Sequence, residues 1–301
     1  MSAPGTEHDE LRERVRGLIR AMPVAQREFA AGIDLDATKL SKALTGTRRF
    51  SPHELVRIAE YSGVTVNWLL HGSDDAATVT AVPPPAARSA GHPEEPEPRR
   101  RILETAWQLI ADRGYHKVRI ADIARACGTS PAAIHYHFPT KADVLTEALR
   151  RNVKLAFDRQ VAELHAVGSA HERLLKLVEL QLPVGPVLRA EWSVWLQVWN
   201  ESALDPKMRE LYWDAYNRWY RTIAMTIGSG QEQGTFAPGD PDQLTAQLTA
   251  LIDGLGIQVL TGKPGSSVAT MRRHLRDFID RAIVHGFAHG AHPSTEEDRE
   301  A

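Results

Sequence analysis

Apolar residues recur every three to four positions through most of the chain, and alternation with a period of two is nearly absent. In "LRERVRGLI" Leu11, Val15, Leu18 and Ile19 fall on one stripe, and "RILETAWQLI" repeats the pattern with Ile102, Leu103, Ala106, Leu109 and Ile110. Leu174, Leu177, Val178 and Leu182 continue it, as do "EWSVWLQVWN" and "LYWDAYNRWYRTIAMTI". Two further helices follow, at about 241–261 ("PDQLTAQLTALIDGLGIQVL") and 267–288 ("VATMRRHLRDFIDRAIVHGF"). The fold class is therefore all-α. The one strand candidate, "ATVTAV", is short and lies in a proline-rich stretch.

That stretch, 73–98, has six prolines, few large apolar residues and no period. It reads as a flexible linker, reaching roughly 28 Å on average as a coil, between two folded parts expected to move independently. The remaining divisions are a helical unit at 7–72, a second at 99–151, a larger helical domain at 152–290 and a disordered tail at 291–301.

A chain of 301 residues, 43% of them hydrophobic, can fill about two domains with core. No apolar run approaches the roughly 20 residues of a membrane helix. The opening "MSAPGTEHDE" is acidic and polar where a signal peptide is basic and then apolar. A cytoplasmic protein with no membrane partner is expected. The single cysteine, Cys127, excludes an internal disulfide and a cysteine-rich zinc site, and reads as a core residue. The net charge of −2 conceals an asymmetry: residues 97–155 have eleven Lys and Arg against six acids, whereas the chain after 155 has fourteen against nineteen. A locally basic segment suits a phosphate-bearing partner.

Within the basic segment, "RIADIARAC" predicts a short helix with Ile120, Ile123 and Ala124 inward. Gly128 then turns the chain, and "SPAAIHYHF" starts another helix with Ser130 as N-cap and Pro131 at its first position. Two short helices across a glycine turn are a helix-turn-helix, whose second helix enters the major groove N-terminus first. Ser130, Pro131, Ala132 and Ala133 then lie near base edges, and Ile134 anchors the helix in the core. His135, Tyr136 and His137 fall beside the phosphate track, with Lys141 as a further phosphate contact. With "ADIARACGTSPAAIHYHFPTKADVL" at its centre, a segment of almost 50 residues resembles the tetracycline repressor (TetR) family. Arg119 stands where many members cap the second helix with Ser or Thr, which weakens the cap and adds a phosphate donor.

The N-terminal unit reads as a different helix-turn-helix. "QREFAAGI" buries Phe29 and Ala30, "DLD" turns, and Asp36 caps "ATKLSKALTG". Leu55, Ile58, Ala59, Val64, Trp68 and Leu69 close its core. Residues 7–72 resemble the lambda-repressor-like (Cro/XRE) family. The resemblance implies a phosphate contact at Gln26, a recognition face of Ala37, Thr38, Lys39, Ser41 and Lys42, and phosphate contacts at Arg48 and Arg49. Ala37 and Thr38 offer little base readout, and the unit is nearly neutral, so docking to another protein is the alternative role.

In the last domain the aromatics crowd between 192 and 220. Trp192, Trp195 and Trp199 share one helix face, and Tyr212, Tyr216 and Trp219 share the next, with Glu191, Asn200 and Asp214 nearby in sequence. Rings beside a carboxylate can hold a cation or an amine, although aromatic stripes at this spacing also serve as ordinary core. This half resembles the choline-responsive BetI-type members of the TetR family. That resemblance implies a small-molecule effector, possible cationic chemistry, and a ligand pocket of Trp192, Trp195, Trp199, Asn200, Tyr212, Tyr216 and Trp219. It also implies a homodimer through the last helix pair, at Leu248, Ile252, Leu255, Val259, Leu275 and Ile279. Gly254 and Gly256 inside a helix suggest a close helix approach at that seam, and "GSGQEQG" reads as a turn.

Metal or catalytic chemistry finds little support. Successive residues of "HYH" point to different helix faces, and His285, His289 and His292 lack a placed carboxylate. No cofactor, no metal and no enzymatic activity are expected. The whole reads as a regulator that binds a double-stranded DNA operator and answers to a small molecule, a repressor in the first instance.

Overall fold

The computed structural model describes residues 4–72, 97–165 and 167–286. All but two residues of the expected linker, and the whole 291–301 tail, lie outside them. Among the described residues every regular element is helical, and no helix is long and apolar enough to cross a membrane.

The N-terminal unit holds α1 (Pro4–Ala21), α2 (Gln26–Gly32), α3 (Ala37–Leu44), α4 (Pro52–Tyr61) and α5 (Val66–His71). Phe29, Leu40, Leu55 and Ile58 are fully buried between them. Asp36 caps α3 by accepting the amides of Thr38 and Lys39 at 2.9 and 3.1 Å, as its position predicts. Arg14 ties α1 to α5 by donating to the carbonyls of Leu69 and Leu70.

The second unit runs through α6 (Glu97–Arg113), a 3₁₀ turn at Tyr115–Lys117, α7 (Ile120–Cys127), α8 (Pro131–His137) and the long α9 (Lys141–Leu164). Gly128, at φ 67°, makes the left-handed corner between α7 and α8 that a residue with a Cβ adopts only at a cost. Then come α10 (Ala170–Glu179), α11 (Gly185–Leu204), α12 (Pro206–Glu232), α13 (Pro241–Leu260) and α14 (Val268–Phe278), which runs on as a π-helical stretch at Ile279–Val284. The "GSGQEQG" segment is not a separate turn; α12 continues through Glu232, and the chain turns after it.

α9 is the shared spine. Its first turns put Val144, Leu145, Ala148 and Leu149 into the core of the second unit. Farther along, Phe157, Val161 and Ala162 complete the core of the N-terminal unit. Polar contacts seal this junction. Asp158, fully buried, accepts the Val66 amide at the start of α5 at 2.8 Å and the Lys154 ammonium at 2.7 Å, and Lys154 also donates to the Val64 carbonyl. Arg151 bridges Glu60 and Glu104. The N-terminal unit is thus docked on α9, not free to move as the linker composition suggests. A neutral, apolar face on α5 finds a matching face on α9, which composition cannot reveal.

The residues expected at a dimer seam divide. Leu248, Ile252, Leu275 and Ile279 are fully buried in the chain's own core and so cannot meet a second subunit, while Leu255 and Val259 stay partly exposed. On α13 the outward face carries Ala246, Ala250 and Gly254. Gly254 has open space around it. Gly256 is buried against Trp192 of the same chain, so its close approach is internal.

Candidate functional sites

On the second unit, Ser130 caps α8 by accepting the Ala133 amide at 3.2 Å, and Ile134 is fully buried, so the rest of α8 faces outward. Ser130, Pro131, Ala132 and His135 are exposed, Ala133 and His137 half-buried, and Tyr136 is 85% exposed. Tyr136 contributes nothing to the core; among the described residues its ring meets only that of His137, edge to face at 5.1 Å, and its hydroxyl is open to a partner. His135 spends Nδ1 on the Pro139 carbonyl at 3.0 Å, which leaves Nε2 facing out. Arg119 is exposed. The hydroxyl cap it lacks is replaced from the other side, where the Asp122 carboxylate accepts the Arg119 amide at 3.0 Å.

Lys141 departs from its expected role. Its ammonium donates to the carbonyls of Tyr115 and Val118 and sits 4.1 Å above the Tyr115 ring. Burial pushes its pKa down, against the pull of Glu201. It pins the turn between α6 and α7 in place of clamping a phosphate. Arg48 behaves alike, donating to the carbonyls of Lys39 and Arg49 and to Glu54 at 2.6 Å. In the N-terminal unit Gln26, Ala37, Thr38, Lys39, Ser41, Lys42 and Arg49 are all exposed.

A second site lies inside the C-terminal domain, a cavity of about 140 Å³ between α9, α11, α12 and α13. A volume near 150 Å³ accommodates a molecule the size of benzene. Trp192, Trp195, Trp199, Tyr216 and Trp219 line it. The rings meet edge to face, Trp192 on Trp199 at 6.1 Å and Tyr216 on Trp219 at 5.3 Å, so they also pack as core. Tyr212 stands behind, meeting Trp195 edge to face and Tyr216 at a tilt. Asn200 lies outside: it is exposed and donates to Glu201.

The charges of the cavity were only partly legible. Glu191 lines it but is held by Arg159 at 2.8 Å, and burial raises its pKa against that pairing. Asp214, the other nearby acid, is exposed. The acid that matters is Asp253 of α13, hidden in the stripe assigned to a dimer seam. Burial pushes its pKa up to about 6, and the Tyr216 hydroxyl donates to it at 3.3 Å. Tyr216 itself rises to about 12 through burial. Asp253 has no cationic partner among the described residues.

The cavity is wired to the helix-turn-helix through α11. Trp192, Trp195 and Trp199 face the cavity, while Val194 and Val198 enter the core of the second unit. Ser193 donates to the Ala111 carbonyl at 2.7 Å, Gln197 accepts the Tyr115 amide, and Glu201 pairs with His116 at 2.8 Å. Among the described residues no cluster of three His, Cys, Asp or Glu could hold a metal ion. His289 and His292 lie outside them.

Comparison with known proteins matches both the helix-turn-helix and the C-terminal domain to known families. The tetR family of bacterial regulatory proteins matches residues 102–148, and the C-terminal domain of BetI-type transcriptional repressors matches 170–284. The HTH-type transcriptional regulator BetI of Cronobacter sakazakii is 29% identical over 208 residues, 68% of this chain and 97% of that protein. A transcriptional regulator from Saccharomonospora viridis, solved in complex with choline, is 70% identical; the match covers 62% of this chain and 97% of that one, with a TM-score of 0.61. A TetR-family regulator from Rhodococcus sp. is 26% identical over 61% of this chain and 97% of its own, with a TM-score of 0.56. An operator-reading helix pair bonded to a helical domain with an internal cavity defines a ligand-responsive, DNA-binding transcriptional regulator. The chain belongs to the TetR family and has a BetI-type C-terminal domain. Members of that family are regulators of transcription.

Proposed function

We propose that this chain is a homodimeric repressor whose effector is a small quaternary ammonium compound of the choline class. The observation that carries the reading is Asp253, without a cationic partner among the described residues, beside Trp192, Trp195, Trp199, Tyr216 and Trp219 in one half-enclosed cavity. Ring faces attract a cation electrostatically, most strongly where water is excluded. A trimethylammonium group cannot donate a hydrogen bond, so rings and a single carboxylate suit it better than a set of acceptors. The Saccharomonospora relative in complex with choline supports the same chemistry.

Occupancy would push the rings of α11, and the bonds from Ser193, Gln197 and Glu201 would carry that shift to the α6–α7 turn. In a dimer, the two α8 helices must sit about 34–36 Å apart to enter successive major grooves, and a shift of this kind spoils the spacing. The second subunit packs on the outward face of α13 at Ala250, Gly254 and Leu255. Phosphate contacts fall to Arg119, His135, Tyr136 and His137.

The N-terminal unit is read as a Cro/XRE-type helix-turn-helix that presents Ala37, Thr38, Lys39, Ser41 and Lys42 of α3 to DNA. Its near neutrality and its docking on α9 favour protein docking as the second reading. Deleting residues 1–90 and measuring operator affinity against salt separates the two, since each lost phosphate contact flattens the slope by about 0.9.

The effector reading is tested by calorimetric titration of choline into the wild type, Trp195→Ala and Asp253→Asn. Binding to the wild type, weakened in both variants, is expected. No binding of any quaternary ammonium to the wild type would refute it.

A further inference from the structure

Four charged side chains line the cavity, and only two of them neutralise each other. Arg159 and Glu191 form a pair at 2.8 Å. Asp253 is left on one wall, and Arg218 on another. Arg218 is 6% exposed, yet it has no ion pair among the described residues, and its Nε is buried with no acceptor. Its guanidinium lies 5.5 Å above the Phe157 ring, and Asp214, exposed one turn earlier on α12, acts on it only at a distance. Burial pushes its pKa down. The next residue, Trp219, also lines the cavity with an indole Nε1 that is buried and unpartnered.

Buried donors without acceptors are uncommon, and a buried guanidinium without a counter-charge is costly. Two such donors, on adjacent residues that both line one cavity, point to a ligand that supplies an acceptor. A purely cationic ligand would satisfy Asp253 and leave Arg218 bare. A neutral hydroxyl would offer one acceptor but no charge.

Resting on the cation reading above, we infer that the cavity is built for a zwitterion: a quaternary ammonium held by the rings and Asp253, with a carboxylate at the other end accepting from Arg218 and Trp219. Such a ligand neutralises both unpaired charges at once. Choline, with a hydroxyl in place of the carboxylate, fills the same space with one pole weakly matched.

The test is calorimetric titration of the full chain with trimethylglycine, choline and tetramethylammonium, on the wild type, Arg218→Gln and Arg218→Lys, above the pH at which Asp253 titrates. The wild type should bind trimethylglycine more tightly than choline, and choline more tightly than tetramethylammonium. Arg218→Gln should lose roughly 10- to 100-fold for trimethylglycine, the worth of a charge-assisted hydrogen bond, with tetramethylammonium unchanged. Arg218→Lys should keep part of the affinity. Unchanged tetramethylammonium binding also demonstrates that the variants fold. The inference is overturned if tetramethylammonium binds the wild type as tightly as trimethylglycine, or if Arg218→Gln weakens all three ligands alike. Choline and tetramethylammonium binding without trimethylglycine overturns the zwitterion alone, while failure of all three overturns the cation reading beneath it too.

Discussion

Replacing Gly256 by alanine probes the cavity wall without touching a ligand-binding side chain. An added Cβ would stand 2.1 Å from Cη2 of Trp192 and 2.5 and 2.6 Å from two neighbouring ring atoms. Carbon contacts settle near 3.5–4.0 Å, so the ring edge must retreat by roughly 1.5 Å. It has little room, because its Nε1 donates to the Gln181 carbonyl at 2.8 Å and the ring meets Trp199 edge to face. Overpacking of this kind costs about 1–3 kcal/mol, and a broken indole hydrogen bond about 1 more. The better helix propensity of alanine offsets about 1 kcal/mol. The net loss of about 1–3 kcal/mol corresponds to a fall of several degrees in Tm for a domain of this size, at about 2–4 °C per kcal/mol. Scanning calorimetry and choline titration on Gly256→Ala and Gly254→Ala provide the assay. Gly254 has open space around it within the chain, so its variant should not disturb the chain's own packing, and any loss of Tm there reports the proposed seam on α13 and not the cavity wall. If Gly256→Ala matched the wild type in both Tm and choline affinity, the placement of Trp192 as a rigid cavity wall would be refuted.

Further outcomes follow from the same geometry. Asp253 in the fold is raised to about 6 from 3.8, so it is protonated at acid pH and attracts a cation only above its titration. Choline affinity should therefore be level above pH 6 and fall about tenfold per unit below it, a dependence that Asp253→Asn should remove; a flat profile in the wild type would count against this carboxylate as the counter-charge. The raised pKa also means that ionised Asp253 weakens the unliganded fold increasingly as pH rises from 3.8 through 6, and ligand binding should restore that loss. Lys141→Met should lower stability by about 1 kcal/mol by leaving the part-buried carbonyls of Tyr115 and Val118 without this donor, with the salt slope of operator binding unchanged, whereas Tyr136→Ala should weaken the operator complex at wild-type stability. Asp158→Ala leaves the Val66 amide without this acceptor and Lys154 without its ion pair, so faster proteolysis or amide exchange in residues 8–72 is expected, and unchanged protection would argue against docking on α9. Gly254→Trp should dissociate the dimer in sedimentation if the outward face of α13 is the seam.

Much of this was readable from the chain. Period and capping residues located nearly every helix, because Asp36, Ser130 and Gly128 act locally and carry their chemistry in the sequence. The aromatic stripe pointed to the cavity because Trp192, Trp195 and Trp199 share a face. What escaped depends on rotation and on partners far along the chain. Leu248, Ile252, Leu275 and Ile279 were assigned to a seam because a periodic stripe does not say which neighbour it meets. Lys141 and Arg48 look like surface cations until Tyr115, Val118 and Lys39 bring their carbonyls near. Asp253 sits on α13, away from the rings of α11 and α12, so no local spacing announces it, and Arg218, although next to Trp219, looks like any helix-surface cation until its burial is seen. Docking of the N-terminal unit hinges on Asp158 meeting Val66, ninety-two positions away.

The central claim is that occupancy of the aromatic cavity releases α8 from DNA. It is tested most directly by measuring operator affinity of the full chain in the mobility-shift assay as choline and trimethylglycine are titrated, with Asp253→Asn in parallel. The account predicts loss of the complex at ligand concentrations that fill the cavity by calorimetry, and in Asp253→Asn the same loss only at correspondingly higher concentrations. An operator complex that survives a filled cavity would contradict it.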